Sequence, residues 1–155
     1  MESNRSAPAG PVIPVLTYSD VVAATDWLVG VLGFRVRVLI GPGHRAQLTF
    51  GEGSLIVADD GSYRAVPNSM TVTASVMLRV DDVAAVHARA VEAGAVVADE
   101  PADYPYGERQ SSFRDPGGQF WTLTQTLRDV DPQEWGGLAE AASTAAPPPA
   151  PAGSR

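Results

Sequence analysis

The chain contains neither cysteine nor lysine among its 155 residues. The absence of cysteine excludes disulfide bonds, thiolate metal ligands and a cysteine nucleophile. The absence of lysine excludes Schiff-base catalysis and the phosphate-binding lysine of a P-loop. Long apolar runs are also missing, because no stretch reaches the roughly 18 residues that a membrane-spanning helix needs. These absences leave hydroxyl, amide, carboxylate, imidazole and guanidinium groups to carry any chemistry.

The charge balance is acidic, with 18 Asp and Glu against 11 basic residues and a net charge of −7. A surface of this sign disfavours nucleic acid and anionic membranes as partners. The first ten residues lack the basic and then apolar pattern of a secretory signal. We therefore expect a cytoplasmic protein that binds neither nucleic acid nor membranes.

The chain carries an internal repeat. The segment Leu16–Ala23 returns 62 positions later as Leu78–Ala85. Each copy is followed by an apolar helical stripe that ends at a glycine, and each closes with a glycine turn and an apolar strand. A period this long predicts two structural modules, since a solenoid requires at least three repeats.

Each module has the predicted order βαβββ, which makes the fold class α+β. Ser19 or Asp20 is suited to cap the first helix, and Asp82 the second. The predicted strands are Val12–Thr17, Phe34–Ile40, Arg45–Phe50 and Ser54–Ala58, then Val72–Val80, Val96–Ala98, Arg109–Arg114 and Gln119–Gln125. The predicted boundaries are a disordered lead (1–10), the first module (11–60), a linker (61–71), the second module (72–127), a C-terminal extension (128–138) and a disordered Ala/Pro-rich tail (139–155).

Leu32-Gly33-Phe34 follows the first helix, and the segment 115–121, Asp-Pro-Gly-Gly-Gln-Phe-Trp, precedes the last strand. These motifs resemble those of the vicinal oxygen chelate superfamily, which includes glyoxalases, bleomycin-resistance proteins and extradiol dioxygenases. The segments 104–109 and 129–135 resemble PhnB-like and bleomycin-resistance-like members. The resemblance covers residues 11–136. It implies two tandem βαβββ modules, curved mixed sheets around a central cavity, and a homodimer.

The same resemblance predicts where metal ligands would stand. Metal-dependent members carry them on the first and last strands of each module, and these positions hold Ile13, Val57, Ser75 and Thr122. None of these side chains is a good ligand for a divalent metal. We expect no metal and no cofactor. His44 and His87 do not repair the site, because we expect a surface turn residue and a half-exposed helix residue, respectively.

Strand alternation predicts the lining of the cavity. It turns Ile13, Val15 and Thr17 inward with Leu55 and Val57. The lining has no carboxylate pair and no Ser/His/Asp set. Arg109 either contacts a ligand or pairs with Glu108, and Tyr63 is a further candidate for stacking on a flat ligand. The predicted ligand-binding residues are Gln47, Thr49, Val57, Ser75, Met77, Tyr104, Tyr106, Arg109, Ser112, Arg114, Phe120 and Thr122.

These observations favour a metal-free protein that binds a small molecule, a drug or a metabolite, as in antibiotic resistance of the bleomycin-resistance type. An alternative is a divalent-metal-dependent lyase, isomerase or dioxygenase, whose ligands would include His44, Gln47 or Glu108 or come from a partner chain. A third interpretation is a structural dimer whose sheets close on each other, so that the lining residues form core. Enzymatic activity is left open by the sequence.

Overall fold

The computed structural model describes residues 4–61, 64–68 and 71–138. In the first module the elements are β1 (Val15–Thr17), α1 (Val21–Trp27), β2 (Arg35–Ile40), β3 (Arg45–Phe50) and β4 (Gly53–Ala58). In the second they are β5 (Val76–Arg79), α2 (Val83–Glu92), β6 (Val96–Asp103), β7 (Glu108–Arg114) and β8 (Phe120–Thr126). A 3-10 helix, Pro132–Trp135, follows.

The two sheets share one topology. Their strand orders are β1-β4-β3-β2 and β5-β8-β7-β6. In each sheet the first strand pairs in parallel with the last, and the other pairs are antiparallel. This confirms the predicted α+β fold of two tandem βαβββ modules.

Both helices begin at the predicted aspartates. Asp20 Oδ1 accepts the Ala23 N–H at 2.9 Å, and Asp82 Oδ1 accepts the Ala85 N–H at 3.0 Å. These bonds satisfy donors that the first turn of a helix leaves unpaired. The first helix continues beyond Trp27 as a π-helical segment, Leu28–Leu32, and ends at Gly33 with a φ of 86°. A left-handed φ explains the glycine.

Three strands differ from the prediction by three or more residues at one end. The strand β1 begins at Val15, because the preceding Pro14 has no N–H to donate. The strand β5 begins at Val76, opposite Trp121, close to where its only partner strand starts. The strand β6 extends to Asp103 despite Pro101, because it is an edge strand with an irregular register.

The two modules share one core through their helix-covered sides. The Trp27 ring donates its Nε1–H to the Ala93 carbonyl at 2.9 Å and packs edge-on against Phe113 at 6.2 Å. Phe34 packs in the same way against Trp121, at 5.9 Å between ring centroids. The off-stripe position of Trp27 on the first helix favours a ring that faces solvent or a partner chain, but the structure places the ring between the modules.

A buried carboxylate joins the modules at one point. Asp115 is 4% exposed and accepts hydrogen bonds from the Tyr18 hydroxyl and the Trp121 Nε1–H. The backbone N–H groups of Gly117 and Gln119 also donate to it, each at 3.0 Å. Burial raises the pKa of Asp115, and the same burial raises the pKa of Tyr18. The Asp-Pro-Gly-Gly motif is thus a structural joint.

Candidate functional site

Each sheet has one side that carries neither α1 nor α2. On the first sheet the core side holds Ala46 and Leu48, so alternation turns Gln47 to the other side. The first open face consists of Val15, Arg35, Arg37, Val38, Ile40, Arg45, Gln47, Thr49, Ser54 and Ile56. The second open face consists of Met77, Arg79, Glu108, Gln110, Ser112, Phe120, Thr122 and Thr124. Apolar side chains are left uncovered there, since Met77 is 59% exposed.

The second open face carries paired hydroxyl and amide groups. Ser112 Oγ lies 3.1 Å from Thr122 Oγ1, on directly paired strand positions. Gln110 Nε2 donates to Thr124 Oγ1 at 3.2 Å. The sequence prediction correctly placed Ser112 and Thr122 on one face, and Gln110 lies on the same face. These side chains form a row of hydroxyl and amide groups across the middle of the face.

Glu108 anchors one end of this face. Its carboxylate accepts from Arg79 Nη1 at 2.9 and 3.0 Å and from the Thr126 hydroxyl at 2.7 Å. It also accepts from the Thr124 hydroxyl, and this bond is the largest cause that lowers the pKa of Glu108. An ionised carboxylate with this many donors is already satisfied.

The expected pair between Glu108 and Arg109 is wrong. Arg109 instead pairs with Asp103, at 2.6 and 3.1 Å, which lowers the pKa of Asp103. Strand alternation turns Arg109 to the opposite side from Gln110. The structure therefore separates Arg109 from the other predicted residues, and the missed partner of Glu108 is Arg79.

Three aromatic rings stand beside the second open face. Tyr106 stacks on Tyr104 at 5.3 Å and meets Trp135 edge-on at 5.5 Å. The Tyr106 hydroxyl donates to Gln110 Oε1 at 2.7 Å, and partial burial raises the pKa of Tyr106. The sequence prediction did not include Trp135 beside these tyrosines, although it singled out the segment 129–135. Tyr63, another predicted aromatic contact, lies outside the described residues.

The first open face holds a buried amide beside a guanidinium. Gln47 is 6% exposed, and its Oε1 accepts from Arg37 Nη1. Its Nε2 donates to the Ser6 carbonyl at 2.9 Å, while Arg37 Nη2 donates to the Arg5 carbonyl. Residues of the lead segment therefore lie against this face. Thr49, paired with Arg35 and Ser54, is on the same side as Gln47.

The placement of Val57 on the cavity side is wrong, as is that of Leu55. Both are buried on the helix-covered side, with exposures of 0% and 2%. Val15 pairs with Ile56 as Met77 pairs with Thr122, so the structural twin of Thr122 is Ile56. Val57 was matched to Thr122 by aligning the glycine turns of the two modules, and this match is one residue off. A shift of one residue exchanges the two faces of a strand.

The corrected positions do not fit a metal ion. They hold Ile13, Ile56, Ser75 and Thr122, which offer two hydroxyls and no carboxylate, imidazole or thiolate. Within the described ranges no group of three His, Cys, Asp or Glu side chains is placed to hold a metal.

The two histidines lie elsewhere. His44 is exposed, as expected, and its Nδ1 lies 2.8 Å from Asp59 Oδ2, which lowers the pKa of Asp59. His87 is only 5% exposed, so the expectation of a half-exposed residue is wrong. Its Nε2 lies 3.2 Å from Glu100 Oε2, and its ring packs edge-on against Phe113. Neither histidine lies on an open face.

Arg114 borders the second open face at the end opposite Glu108. Its Nη1 donates to the Gly118 carbonyl at 3.0 Å and its Nη2 to the Thr71 carbonyl at 3.2 Å. Its guanidinium carbon lies 5.7 Å from the centroid of the Phe120 ring. The guanidinium therefore ties the linker to the sheet. Ser75 stands just before β5, on the side of Met77 by alternation.

This tandem arrangement of helix-backed, four-stranded sheets defines the class of vicinal oxygen chelate folds. The family model of the Glyoxalase/Bleomycin resistance protein/Dioxygenase superfamily matches residues 12–123. The chain belongs to this superfamily. In the described part of the chain, no helix is long and apolar enough to cross a membrane.

Similar proteins include solved structures from actinobacteria. TioX from Micromonospora is 33% identical, with a TM-score of 0.61, over 77% of this chain and 100% of that chain. TnmS3 from Streptomyces, described as an antibiotic binding protein, is 30% identical, with a TM-score of 0.59, over 74% of this chain and 93% of that chain. An uncharacterized protein of Mycobacterium bovis is 30% identical over 78% of this chain and 86% of its own length.

Proposed function

We propose that this protein binds a small molecule, a drug or a metabolite, without a metal ion. The observation that carries the proposal is the chemistry of the four positions at which metal-dependent relatives hold ligands. Ile13 and Ile56 offer no donor atom, and Ser75 and Thr122 offer neutral hydroxyls. Hydroxyls and amides on an apolar floor are suited to orient an organic ligand.

The ligand would lie against the second open face, between its hydroxyl pairs and the aromatic rings of Tyr104, Tyr106 and Trp135. Stacked and edge-on rings offer a flat ligand a large contact area. The likeness to TnmS3, an antibiotic binding protein, supports an antibiotic or a related metabolite as the ligand. A role in antibiotic resistance in the cytoplasm is part of the proposal.

We further propose that the working unit is a homodimer. Both open faces present exposed apolar side chains, Val15 at 47% and Met77 at 59%. Within one chain the modules pack through their helix-covered sides, so a second copy is needed to enclose either open face. Burial of such side chains stabilises association.

A thermal-shift screen of antibiotics and microbial metabolites, including bleomycin, tests the binding function. A compound that binds the native state raises the Tm in a concentration-dependent way. The test variant is Met77→Trp, which fills the second open face at a position that is already exposed. The control is Val22→Trp on α1, where the wild-type side chain is 56% exposed.

The proposal predicts that Met77→Trp abolishes the shift given by a binding compound, while Val22→Trp retains it. Both variants should unfold cooperatively, since neither removes buried contacts. Equal retention of the shift in the two variants would contradict the placement of the ligand on this face.

A further inference from the structure

The first open face differs from the second because its polar groups are satisfied by the lead segment. The Arg5 and Ser6 carbonyls, two successive backbone acceptors, receive hydrogen bonds from Arg37 Nη2 and Gln47 Nε2. Their own turn is closed locally, since the Ala7 N–H donates to the Asn4 carbonyl at 3.1 Å and the Ser6 N–H to Asn4 Oδ1 at 2.9 Å. From the described residues of the lead, the face receives carbonyl oxygens.

The donor side of this contact is built into the sheet. Gln47 is only 6% exposed, and Arg37 fixes the orientation of its amide by donating a hydrogen bond to Oε1. That bond turns the Gln47 NH₂ outward, so the face presents a guanidinium and an amide donor side by side. A buried donor that loses its acceptor costs free energy, so this pair demands an acceptor.

Two more polar atoms on the same face have unsatisfied hydrogen-bonding capacity. Arg45 Nε and Ser54 Oγ are buried and have no hydrogen-bond partner within the described residues. Both residues alternate to the side of Gln47 in the register of β3 with β4. The lead segment thus satisfies only part of a donor-rich surface, and native structures rarely leave buried donors unpaired.

We infer that the first open face is an acceptor-binding subsite, occupied by the Arg5 and Ser6 carbonyls, and that a ligand carrying peptide-type amide carbonyls displaces the lead from it. The inference rests on the proposed binding function and assigns it a ligand chemistry. Arg37 and Gln47 hold two successive carbonyls, and Arg45 and Ser54 extend the surface toward a longer ligand.

The lead carries its own reporter of displacement. Trypsin cleaves after arginine, and the Arg5–Ser6 bond lies within the docked segment. A bond held against the sheet is cleaved only after local opening, so the initial cleavage rate measures how often the lead departs. The rate is followed by mass spectrometry of the full-length chain.

Arg37→Ala is the test variant and Arg128→Ala, an exposed arginine that follows β8 and belongs to neither open face, is the control. Cleavage after Arg5 should be about threefold to tenfold faster in Arg37→Ala, which is what the loss of one net hydrogen bond produces in a local opening equilibrium. In Arg128→Ala it should match the wild type. Equal rates in Arg37→Ala and the wild type would overturn the docked lead.

The exchange is tested with the peptide acetyl-Asn-Ala-Ser-Ala-amide, which keeps the carbonyls of the lead and lacks a trypsin site. Added to the wild-type chain at millimolar concentration, it should accelerate cleavage after Arg5 and have no effect on Arg37→Ala. Failure to accelerate cleavage in the wild type would overturn the subsite. This readout needs no antibiotic, so it can fail while the thermal-shift screen succeeds, and the reverse.

Discussion

The two open faces stand on sheets of the same topology, yet they satisfy their polar groups in different ways. On the second face Glu108 collects donors from Arg79, Thr124 and Thr126, all within one sheet. On the first face Gln47 and Arg37 reach for backbone carbonyls of the lead, about forty and thirty residues away in sequence.

The two faces differ in whether the partners of their polar groups belong to the same sheet or to a separate terminal segment. The residues of the Glu108 network keep their backbones in one sheet, whereas a terminal segment can leave as a whole by local opening. The polar groups of the second face therefore have partners that stay beside them, and those of the first face have acceptors that can leave. Two modules of one topology thus satisfy their polar groups in different ways.

The largest expected effect concerns the Asp-Pro-Gly-Gly joint, where Asp115 connects the two modules. Gly117 is exposed, but a Cβ there would clash with Cδ1 and Cε1 of the buried Tyr18 ring. Gly117→Ala should lower the free energy of unfolding by about 3 kcal/mol, since the buried ring or the turn backbone must shift to admit the added methyl group. Urea denaturation measures it.

Gly30→Ala is the matched control for this substitution, because a Cβ there meets nothing within 4 Å. Alanine in place of glycine in a helical segment stabilises by roughly 1 kcal/mol at most. If both substitutions changed the urea midpoint equally, the tight contact between Gly117 and Tyr18 would be refuted.

A smaller loss of stability is expected on the second open face, where Glu108 is bonded within its own sheet. Glu108→Ala removes the acceptor of Arg79, Thr124 and Thr126 and should cost about 2 kcal/mol, because Thr124 is 1% exposed and has little access to water. Glu52→Ala, in the exposed turn between β3 and β4, should change stability by less than about 0.5 kcal/mol. Indistinguishable denaturation curves for the two variants would mean that the network contributes nothing.

The smallest effect is a pH dependence of stability. The pKa of Glu108 is lowered in the folded state, chiefly by the Thr124 hydroxyl, so its contribution is present above the unfolded pKa and is lost as the pH falls through the folded pKa. Between about pH 5 and pH 3 the wild type should lose more stability than Glu108→Gln. Parallel urea midpoints over this range would show that Glu108 gains no stabilisation from its donors.

The sequence predicted most of the fold because its signals were local and repeated. Asp20 and Asp82 predicted where the two helices begin. The glycine turns predicted the positions of β4 and β8. The parity of Ser112 and Thr122 followed from simple alternation. Val57 was misplaced because the twin strands differ by one residue in their spacing, which only the register of the sheets reveals.

The remaining features depend on contacts between distant residues. Arg79 and Glu108 are 29 positions apart, and Arg37 meets a carbonyl 32 positions away. No local sequence motif around Arg79 or Arg37 indicates which distant residue it contacts. The burial of His87 also escaped prediction, because helical spacing alone did not tell that Phe113 and Glu100 of the neighbouring strands would cover its ring.

The central claim is that this member of the superfamily binds its ligand without a metal ion. The most direct test is the metal content of tag-free protein, purified without chelator and dialysed, by plasma mass spectrometry. We expect less than about a tenth of an equivalent of any transition metal per chain. Close to one equivalent per chain, retained after dialysis, would contradict it.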